Sequence, residues 1–202
     1  MERDIDLAQE LGLMNKTVIG YVGSMVMYEG LELLVEAFSL MPQDIRDQSS
    51  LLFVGDGASM ESVKASCDNF GLSKDEAIFT GRVPHDQVSS YYSIIDIAPI
   101  PRTSLPVTEM VSPMKPFEAM SMEKLLIVSD VDALDEIVSD ETIGKKFKKN
   151  NVIDLADVLS NSVRNPDERE KIGKSSREWV IKNRDWSEIS KTIVEVYDSL
   201  LT

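Results

Sequence analysis

The sequence is poor in the residues that form disulfides and metal sites. Its 202 residues include one cysteine, Cys67, and one histidine, His85. A single cysteine excludes an internal disulfide and a cysteine-based metal centre, and His85 has no cysteine or histidine neighbour at the spacing of a zinc ligand set. Cys67 lies in a stretch with helical amphipathic spacing, so we expect it to be a small buried hydrophobe. A chain without cysteine pairs is typical of a reducing, cytoplasmic compartment.

Long apolar runs and basic charge are also scarce. No apolar stretch approaches the roughly 20 residues of a membrane-spanning helix, and the acidic N-terminus does not resemble a signal peptide. The formal net charge is −14, from 35 acidic and 21 basic residues, which disfavours binding to nucleic acid and anionic lipid. The one dense basic cluster is short enough to be a solvated edge, with a polyanion-binding patch as the alternative; it consists of Lys145, Lys146, Lys148 and Lys149.

The chain does contain a regular alternation of short apolar runs and amphipathic stretches. The apolar runs predict six strands, at residues 17–22, 51–54, 77–80, 94–100, 125–129 and 144–147. Apolar residues recur at helical spacing between them, and the chain is helical from residue 152 onward, where Asn165, Pro166 and Glu168 have the spacing of a capping box. This predicts an α/β fold: a Rossmann-like, doubly wound, mostly parallel six-stranded sheet with helices on both faces and a helical C-terminus.

We expect one folded unit with a short extension before it. Residues 1–15 form an acidic helical lead-in, and residues 16–202 form a single Rossmann-like domain. In doubly wound sheets, ligands bind at the carboxyl ends of the strands, near the switch in strand order. The loops that follow the strands are therefore the candidate functional segments.

The first candidate segment is the loop of residues 23–30, between the first strand and the first helix. Gly23 and Gly30 flank a strand-to-helix turn, an arrangement that lets backbone amides approach a phosphate at a helix N-terminus. The alternative is a tight turn that needs glycine for its backbone dihedral angle. The loop is neither G-x-G-x-x-G nor a P-loop, so it gives no support to a dinucleotide cofactor or to ATP hydrolysis.

The second candidate segment precedes and opens a helix. Ser112 has the properties of an N-cap and Pro113 those of a first-turn proline, although Pro116 allows a helix that begins at Lys115 instead. The amides of Met114 and Lys115 would point out of the helix start beside the Lys115 ammonium, which we expect to be solvated. Helix dipole, backbone donors and a point charge together make an anion site.

Glu118 follows one turn later on the same helix. Its carboxylate could accept hydrogen bonds from two hydroxyls, as a ribose requires. The alternative is an ordinary capped helix with Phe117 and Met120 in the core.

The third candidate segment is F-T-G-R-V-P at residues 79–84, which is another junction between a strand and a turn. Its Arg82 could stack on a base or contact a phosphate. A solvent-exposed arginine is the equal alternative.

These segments together resemble the C-terminal domain of the retaining glycosyltransferases of family 4, which have the GT-B fold. The matching pieces run in family order over residues 16–202. They are V-I-G-Y-V-G-S at 18–24, Y-E-G-L-E-L-L at 28–34, L-F-V-G-D-G at 52–57, F-T-G-R-V-P-H at 79–85, D-I-A-P at 96–99, S-P-M-K-P-F-E-A-M at 112–120 and L-I-V-S-D at 126–130. The ordered set is far more specific than any single piece.

The resemblance implies a donor bound as a nucleotide diphosphate sugar, with no metal and no other cofactor. It places the diphosphate or sugar at Gly23 and Ser24, the diphosphate at Met114 and Lys115, and the ribose at Glu118. The arginine and valine of F-T-G-R-V-P-H flank the base. The predicted donor-binding residues carried by these segments are Gly23, Ser24, Arg82, Val83, Arg102, Ser112, Pro113, Met114, Lys115 and Glu118.

The sequence departs from the family pattern at three positions. Many members have Arg and Lys, used on the phosphates, where this chain has Ser24 and Glu29, and many have a glutamate at the position of Met110. One branch of the family reads Y-E-G-L together with P-x-K-P-x-E-A-M and has a Pro-Arg pair upstream. Residues 101–102 fit that branch, so the resemblance gives Arg102 the role of the replaced cation. The members of this branch resemble enzymes that build cell-surface or exported polysaccharide.

A complete GT-B enzyme has a second, N-terminal Rossmann domain that holds the acceptor, and about 15 residues precede the first strand here. We therefore expect this chain to be the donor-binding half of an enzyme that transfers a sugar to a polysaccharide or glycoconjugate, inactive in isolation. The catalytic residues then belong to the other domain. The alternatives are a non-catalytic nucleotide-sugar-binding module and half of a GT-B epimerase or phosphorylase.

The net charge and the resemblance together bear on partners and location. We expect no nucleic-acid partner, an acceptor glycan or lipid-linked glycan reached through the other domain, and a full enzyme that is cytoplasmic or peripheral at the inner membrane face.

The last helix of such enzymes commonly packs on the N-terminal domain, so its apolar stripe predicts exposure and a homodimer or a frayed helix. Full packing on its own sheet is the alternative. The stripe consists of Ile189, Ile193, Val196 and Leu200.

Overall fold

The computed structural model describes residues 2–201, apart from the side chains of Glu188, Thr192 and Leu201. At its centre lies a six-stranded sheet in which every strand runs parallel to its neighbours. The strands are β1 Thr17–Val22, β2 Ser49–Val54, β3 Ala77–Gly81, β4 Ile97–Ile100, β5 Leu125–Ser129 and β6 Lys145–Phe147. Their order across the sheet is β3-β2-β1-β4-β5-β6.

Helices connect the strands and cover both faces of the sheet. They are α1 Ile5–Glu10, α2 Leu31–Leu40, α3 Gln43–Arg46, α4 Met60–Asn69, α5 Val88–Ile94, α6 Pro106–Met110, α7 Lys115–Ser121, α8 Asp132–Asp135, α9 Val152–Arg164, α10 Pro166–Arg184 and α11 Trp186–Leu201. Two 3₁₀ turns, Met27–Glu29 and His85–Gln87, lead into α2 and α5.

The strand order places a topological switch between β1 and β4. From β1 the chain moves outward through β2 to β3, then returns to pair β4 with the other side of β1 and continues through β5 to β6. In open parallel sheets, the crevice for ligands lies outside the carboxyl ends of the strands at such a switch. The loop after β1 and the segment leading into α7 meet at this crevice.

Alternate residues of each strand fill two separate cores. Ile19, Leu51 and Ile127 face α2 and α9 on one side of the sheet, whereas Val18 and Leu126 face α5 and α7 on the other. Because both faces are covered, the strands have continuous apolar runs instead of alternating polar ones. This is why short apolar runs were the strongest strand signal in the sequence.

The predicted fold class is confirmed, and the differences lie at element boundaries. Residue 94 ends α5, so β4 begins at Ile97 and not at 94. The short helix α6 lies inside residues 101–111, which we expected to be irregular. The next helix begins at Lys115, not after Ser112, and Met114 caps it without a side-chain hydrogen bond. The predicted capping box at Asn165 is wrong, because its Nδ2 donates to the carbonyl of Asn161 at 2.7 Å.

The lead-in and the edge of the sheet are also well defined. Helix α1 lies within residues 1–15, and Ala8 is fully buried in the core that α5 and α7 share. The division of the chain at residue 15 stays a prediction. On β6, Lys145 pairs with Glu168 and Lys146 with Asp135, both at a solvent-exposed edge.

Cys67 is buried, as expected, and burial raises the pKa of its thiol to about 11. Among residues 2–201, no helix has both the length and the apolar composition needed to cross a membrane.

Candidate functional site

An open cleft of about 560 Å³ lies at the carboxyl edge of the sheet, beside the switch between β1 and β4. The loop after β1 forms one wall, and the first turn of α7 forms another. The start of α5 completes it. The residues that line the cleft include Gly23, Ser24, His85, Tyr92, Lys115 and Glu118.

The loop after β1 is held close to α7 by glycine. Gly23 has a φ of 139°, and a Cβ at this position would lie 2.5 Å from Lys115 Cε. Its N–H donates to the Val54 carbonyl at 2.9 Å, and Tyr21 Oη donates to the Ser24 carbonyl at 2.8 Å. The backbone of residues 23–24 and the Lys115 side chain therefore line the same end of the cleft.

Lys115 is part of a buried ionic cluster beneath this loop. Its Nζ lies 2.9 Å from Glu29 Oε1, which also accepts a hydrogen bond from Arg102 Nη2 at 3.1 Å. Arg102 Nη1 donates to the Val111 carbonyl at 3.0 Å. Glu29 is 1% exposed and Arg102 7% exposed, whereas the Lys115 side chain is 22% exposed. Lys115 is therefore the member of the cluster that reaches the cleft.

Two buried tyrosines flank this end of the cleft. The Tyr21 ring lies 5.5 Å from Lys115 Nζ, and burial, followed by the nearby Glu29 carboxylate, raises the pKa of Tyr21 well above its usual value. Burial and Glu118 likewise raise the pKa of Tyr92. Both phenols remain hydrogen-bond donors at neutral pH, and Tyr92 Oη donates to Glu118 Oε2 at 3.4 Å. Glu118 is exposed at the rim of the cleft, so its carboxylate can accept further hydrogen bonds there.

The structure brings together four of the ten predicted site residues: Gly23, Ser24, Lys115 and Glu118 line one cleft. Ser112 and Met114 are exposed and Pro113 is buried in the segment that leads into α7. Arg102 lies beneath the cleft, as part of the ionic cluster. At the carboxyl end of β3, Val83 packs against the core and Arg82 is exposed, with no hydrogen bond or ion pair to any residue in the range 2–201.

Sequence reasoning missed three contributors to the site. Neither Tyr92 nor His85 is among the predicted donor-binding residues, and both line the cleft. Glu29 was noted only as a departure from the family pattern. Its pairing with Lys115 crosses 86 residues. The helical spacing on α5 after a strand-to-turn junction was the one signal that could have identified Tyr92.

Glu109 ties together the elements beside the cleft. Its Oε1 accepts hydrogen bonds from Ser104 Oγ at 2.5 Å and from Lys149 Nζ at 2.9 Å, and its Oε2 accepts from the Asp132 amide at 2.7 Å. The hydrogen bond from Ser104, then those from Lys149 and Asp132, lower the pKa of Glu109 to about 2. This carboxylate is occupied in joining α6 to α8 and to the loop before α9.

Comparisons with known proteins place this geometry in a family. The sequence profile of the glycosyl transferases group 1 family matches residues 3–179. An uncharacterized glycosyltransferase of Methanocaldococcus jannaschii is 22% identical over 93% of this chain and 46% of its own length. The α-D-kanosaminyltransferase of Streptomyces kanamyceticus is 22% identical over 86% of this chain and 43% of its own. The chain thus spans about half the length of these curated relatives.

A solved structure supports the fold independently. The Anabaena protein HepE in complex with UDP superposes with a TM-score of 0.84, at 19% sequence identity, over 96% of this chain and 52% of that protein. The parallel sheet, its switch point and the profile match lead to one conclusion. This chain belongs to the glycosyl transferases group 1 family, and its α/β sheet is the Rossmann-like sheet of the GT-B glycosyltransferases.

Proposed function

We propose that this chain is the nucleotide-sugar-binding domain of a retaining glycosyltransferase of family 4. The observation that carries the proposal is the end of the cleft where the Lys115 ammonium lies against the glycine loop after β1. A partly exposed cation, a close backbone and a helix start together suit a diphosphate. Family membership and the UDP held by HepE support the same ligand class.

The proposed roles follow the position of each residue in the cleft. The backbone of Gly23 and Ser24 and the ammonium of Lys115 hold the diphosphate, which requires no metal ion. Glu118, which is exposed, accepts hydrogen bonds from the ribose hydroxyls. The base extends toward Arg82 and Val83 after β3, where the Arg82 guanidinium lies in solvent and is able to stack on it.

The sugar acceptor belongs to a part of the enzyme outside this chain. We propose that a second domain holds a polysaccharide, glycoconjugate or lipid-linked acceptor together with the catalytic residues. The domain alone then binds the donor and transfers nothing. The Y-E-G-L and P-x-K-P-x-E-A-M motifs support the polysaccharide-building branch, in which the full enzyme works in the cytoplasm or at the inner membrane face.

A thermal-shift screen against UDP-, GDP- and ADP-sugars tests the proposal. Binding to the folded state alone stabilises it by RT ln(1+[L]/Kd), which is about 2.7 kcal/mol at a ligand concentration of 100 Kd. One of the three nucleotides should raise Tm without added metal and in the presence of EDTA. If none of them raises Tm at millimolar concentration, the chain is not a nucleotide-sugar-binding domain.

A non-catalytic binding module is the second candidate. The observation that favours it is the buried Glu29 carboxylate at a position where many family members use a cation on the phosphates. Joining this chain to the acceptor domain of a related enzyme and measuring sugar transfer separates the two candidates. Transfer supports the enzyme; donor binding without transfer, in a fusion whose acceptor domain is folded, supports the module.

A further inference from the structure

Glu29 lies beneath the end of the cleft that is proposed to hold the diphosphate. Its Oε1 binds both Lys115 Nζ and Arg102 Nη2. Glu29 Oε2 and Arg102 Nε are buried and have no hydrogen-bond partner among residues 2–201. With one carboxylate and two cations, the cluster carries a net charge of one positive unit.

The position of Glu29 gives its charge an effect on any bound anion. Lys115 Nζ lies 2.9 Å from the Glu29 carboxylate, and a phosphate oxygen binds an ammonium at about 2.8 Å. A phosphate held by Lys115 therefore lies within about 6 Å of a buried negative charge. At an effective dielectric constant between that of a protein surface and that of water, such a charge weakens binding roughly tenfold per unit of charge on the ligand.

We propose that Glu29 is a charge-balancing residue: it positions Lys115 and limits how tightly the cleft holds the nucleoside diphosphate left after transfer. The inference rests on the proposed function. Transfer breaks the bond between the anomeric carbon and the terminal phosphate oxygen, and the electron pair stays on that oxygen. The acceptor hydroxyl oxygen forms the new bond to carbon, and its proton leaves to solvent. The terminal phosphate thereby gains a negative charge, so Glu29 repels the product more than the donor.

The substitution Glu29→Gln tests this without changing the shape of the side chain. It raises the net charge of the cluster from one to two positive units. The probes are UDP and its β-methyl ester, which have nearly the same shape but differ by one charge at pH 7.5. Titration calorimetry should show that the substitution increases the affinity for UDP roughly tenfold more than the affinity for the ester.

Glu76→Gln is the matched control. The Glu76 carboxylate pairs with Arg46 at 2.6 Å. Glu76 comes just before β3, at the amino ends of the strands, whereas the cleft lies at their carboxyl ends. This substitution removes the same charge from another ion pair, so it should leave the ratio of the two affinities unchanged. If Glu29→Gln also leaves the ratio unchanged, the proposal is overturned, because a merely structural carboxylate would change both affinities by the same factor.

A double variant covers the case in which Glu29→Gln does not fold. Glu29→Gln with Arg102→Gln restores the net charge to one positive unit and avoids an unbalanced buried charge. Arg102→Gln alone has a net charge of zero, so comparing it with the double variant isolates the charge of Glu29. From the single to the double variant, the affinity for UDP should increase roughly tenfold more than the affinity for the ester, and an equal change for both probes overturns the proposal. If the wild-type protein binds none of UDP, GDP and ADP, the proposed function fails; if it prefers GDP or ADP, that nucleotide and its β-methyl ester replace UDP as the probes. If it binds both probes and the ratio does not respond to Glu29→Gln, only the present inference fails.

Discussion

At the scale of single residues, Lys115 connects the stability of the fold to the proposed anion site. Replacing it with alanine removes a charged donor from the cleft and leaves Glu29 with Arg102 alone. We predict that Lys115→Ala weakens nucleoside diphosphate binding by about 1–3 kcal/mol, the usual contribution of a hydrogen bond to a charged group. Calorimetry measures this loss, and urea denaturation should show a lower free energy of unfolding as well.

Lys149→Ala is the control for Lys115→Ala. Lys149 Nζ also binds a carboxylate at 2.9 Å, that of Glu109, but lies outside the lining of the cleft. The control should lose an ion pair and keep its affinity. Equal affinities of wild type and Lys115→Ala would show that Lys115 is not a phosphate ligand.

Glu118 gives a second prediction at this scale. Glu118→Gln keeps the shape of the side chain but replaces one acceptor oxygen with a donor, so it accepts more weakly from two ribose hydroxyls. Affinity for the ribonucleotide should fall, and its preference over the dideoxyribose analogue should shrink. A variant that still discriminates the two sugars as well as the wild type does would contradict the assignment to ribose.

The residues of the site were predictable only where chain order alone determined their place. Gly23, Lys115 and Glu118 follow from loops and helix starts at one edge of a parallel sheet. The expectation that Lys115 is solvated was wrong, because it pairs with a glutamate that is distant in the sequence. No local pattern encodes such a pairing, or the burial of Arg102, since both depend on which loops meet in three dimensions.

At the scale of secondary-structure elements, the approach between residues 30 and 101 fixes the loop after β1. Gly30 has a φ of 71°, and a Cβ there would lie 2.0 Å from the Pro101 carbonyl oxygen. Gly12 has the same φ, with nothing within 4 Å of such a Cβ. We predict that Gly12→Ala loses about 1 kcal/mol of unfolding free energy through backbone strain. Gly30→Ala should lose about 1–3 kcal/mol more of unfolding free energy, because its Cβ would overlap the Pro101 carbonyl oxygen. Equal losses in urea denaturation would contradict the close approach.

Glu109 makes the packing of α6 dependent on pH. Its folded-state pKa of about 2 lies below the ordinary value of 4.5, so its stabilising contribution is complete above pH 4.5 and is lost as pH falls toward 2. We predict that the free energy of unfolding drops more between pH 4.5 and 2 in wild type than in Glu109→Gln. Parallel urea titrations across this range measure the difference. If the free energy of unfolding falls equally in the two proteins between pH 4.5 and 2, Glu109 does not hold α6.

Strands were easier to predict from the sequence than helix starts. A buried parallel strand needs a continuous apolar run, and this requirement predicted β1 and β5 at their observed bounds. Helix starts depend on caps that several residues can supply. Lys115 begins α7 because Pro116 then lies in the first turn, where its missing N–H has no partner to lose. Helix α6 was missed because proline and short polar residues surround it and its helical run is only five residues long.

At the scale of the whole molecule, the C-terminal helix leaves an apolar stripe in contact with solvent. Ile193 is 47% exposed, Val196 55% and Leu200 76%, so full packing of α11 on its own sheet, the alternative in the sequence analysis, is wrong. An exposed apolar stripe drives association or leaves a helix weakly held. We predict concentration-dependent dimers, or fast amide exchange after about residue 187. Sedimentation velocity over a range of concentrations and hydrogen exchange measure these outcomes.

Two substitutions to lysine locate the association on one face of α11. Val196 and Val194 are equally exposed, at 55% and 56%, but they lie on opposite sides of the helix, because positions two apart differ by about 200° around its axis. Val196→Lys places a charge within the stripe and should shift the dimer to monomer, whereas Val194→Lys adds the same charge outside it and should leave the dimer intact. If both variants dissociate equally, net charge controls association and the stripe does not. A strictly monomeric wild type with slow exchange through Tyr197 would mean that the exposed stripe drives neither association nor fraying.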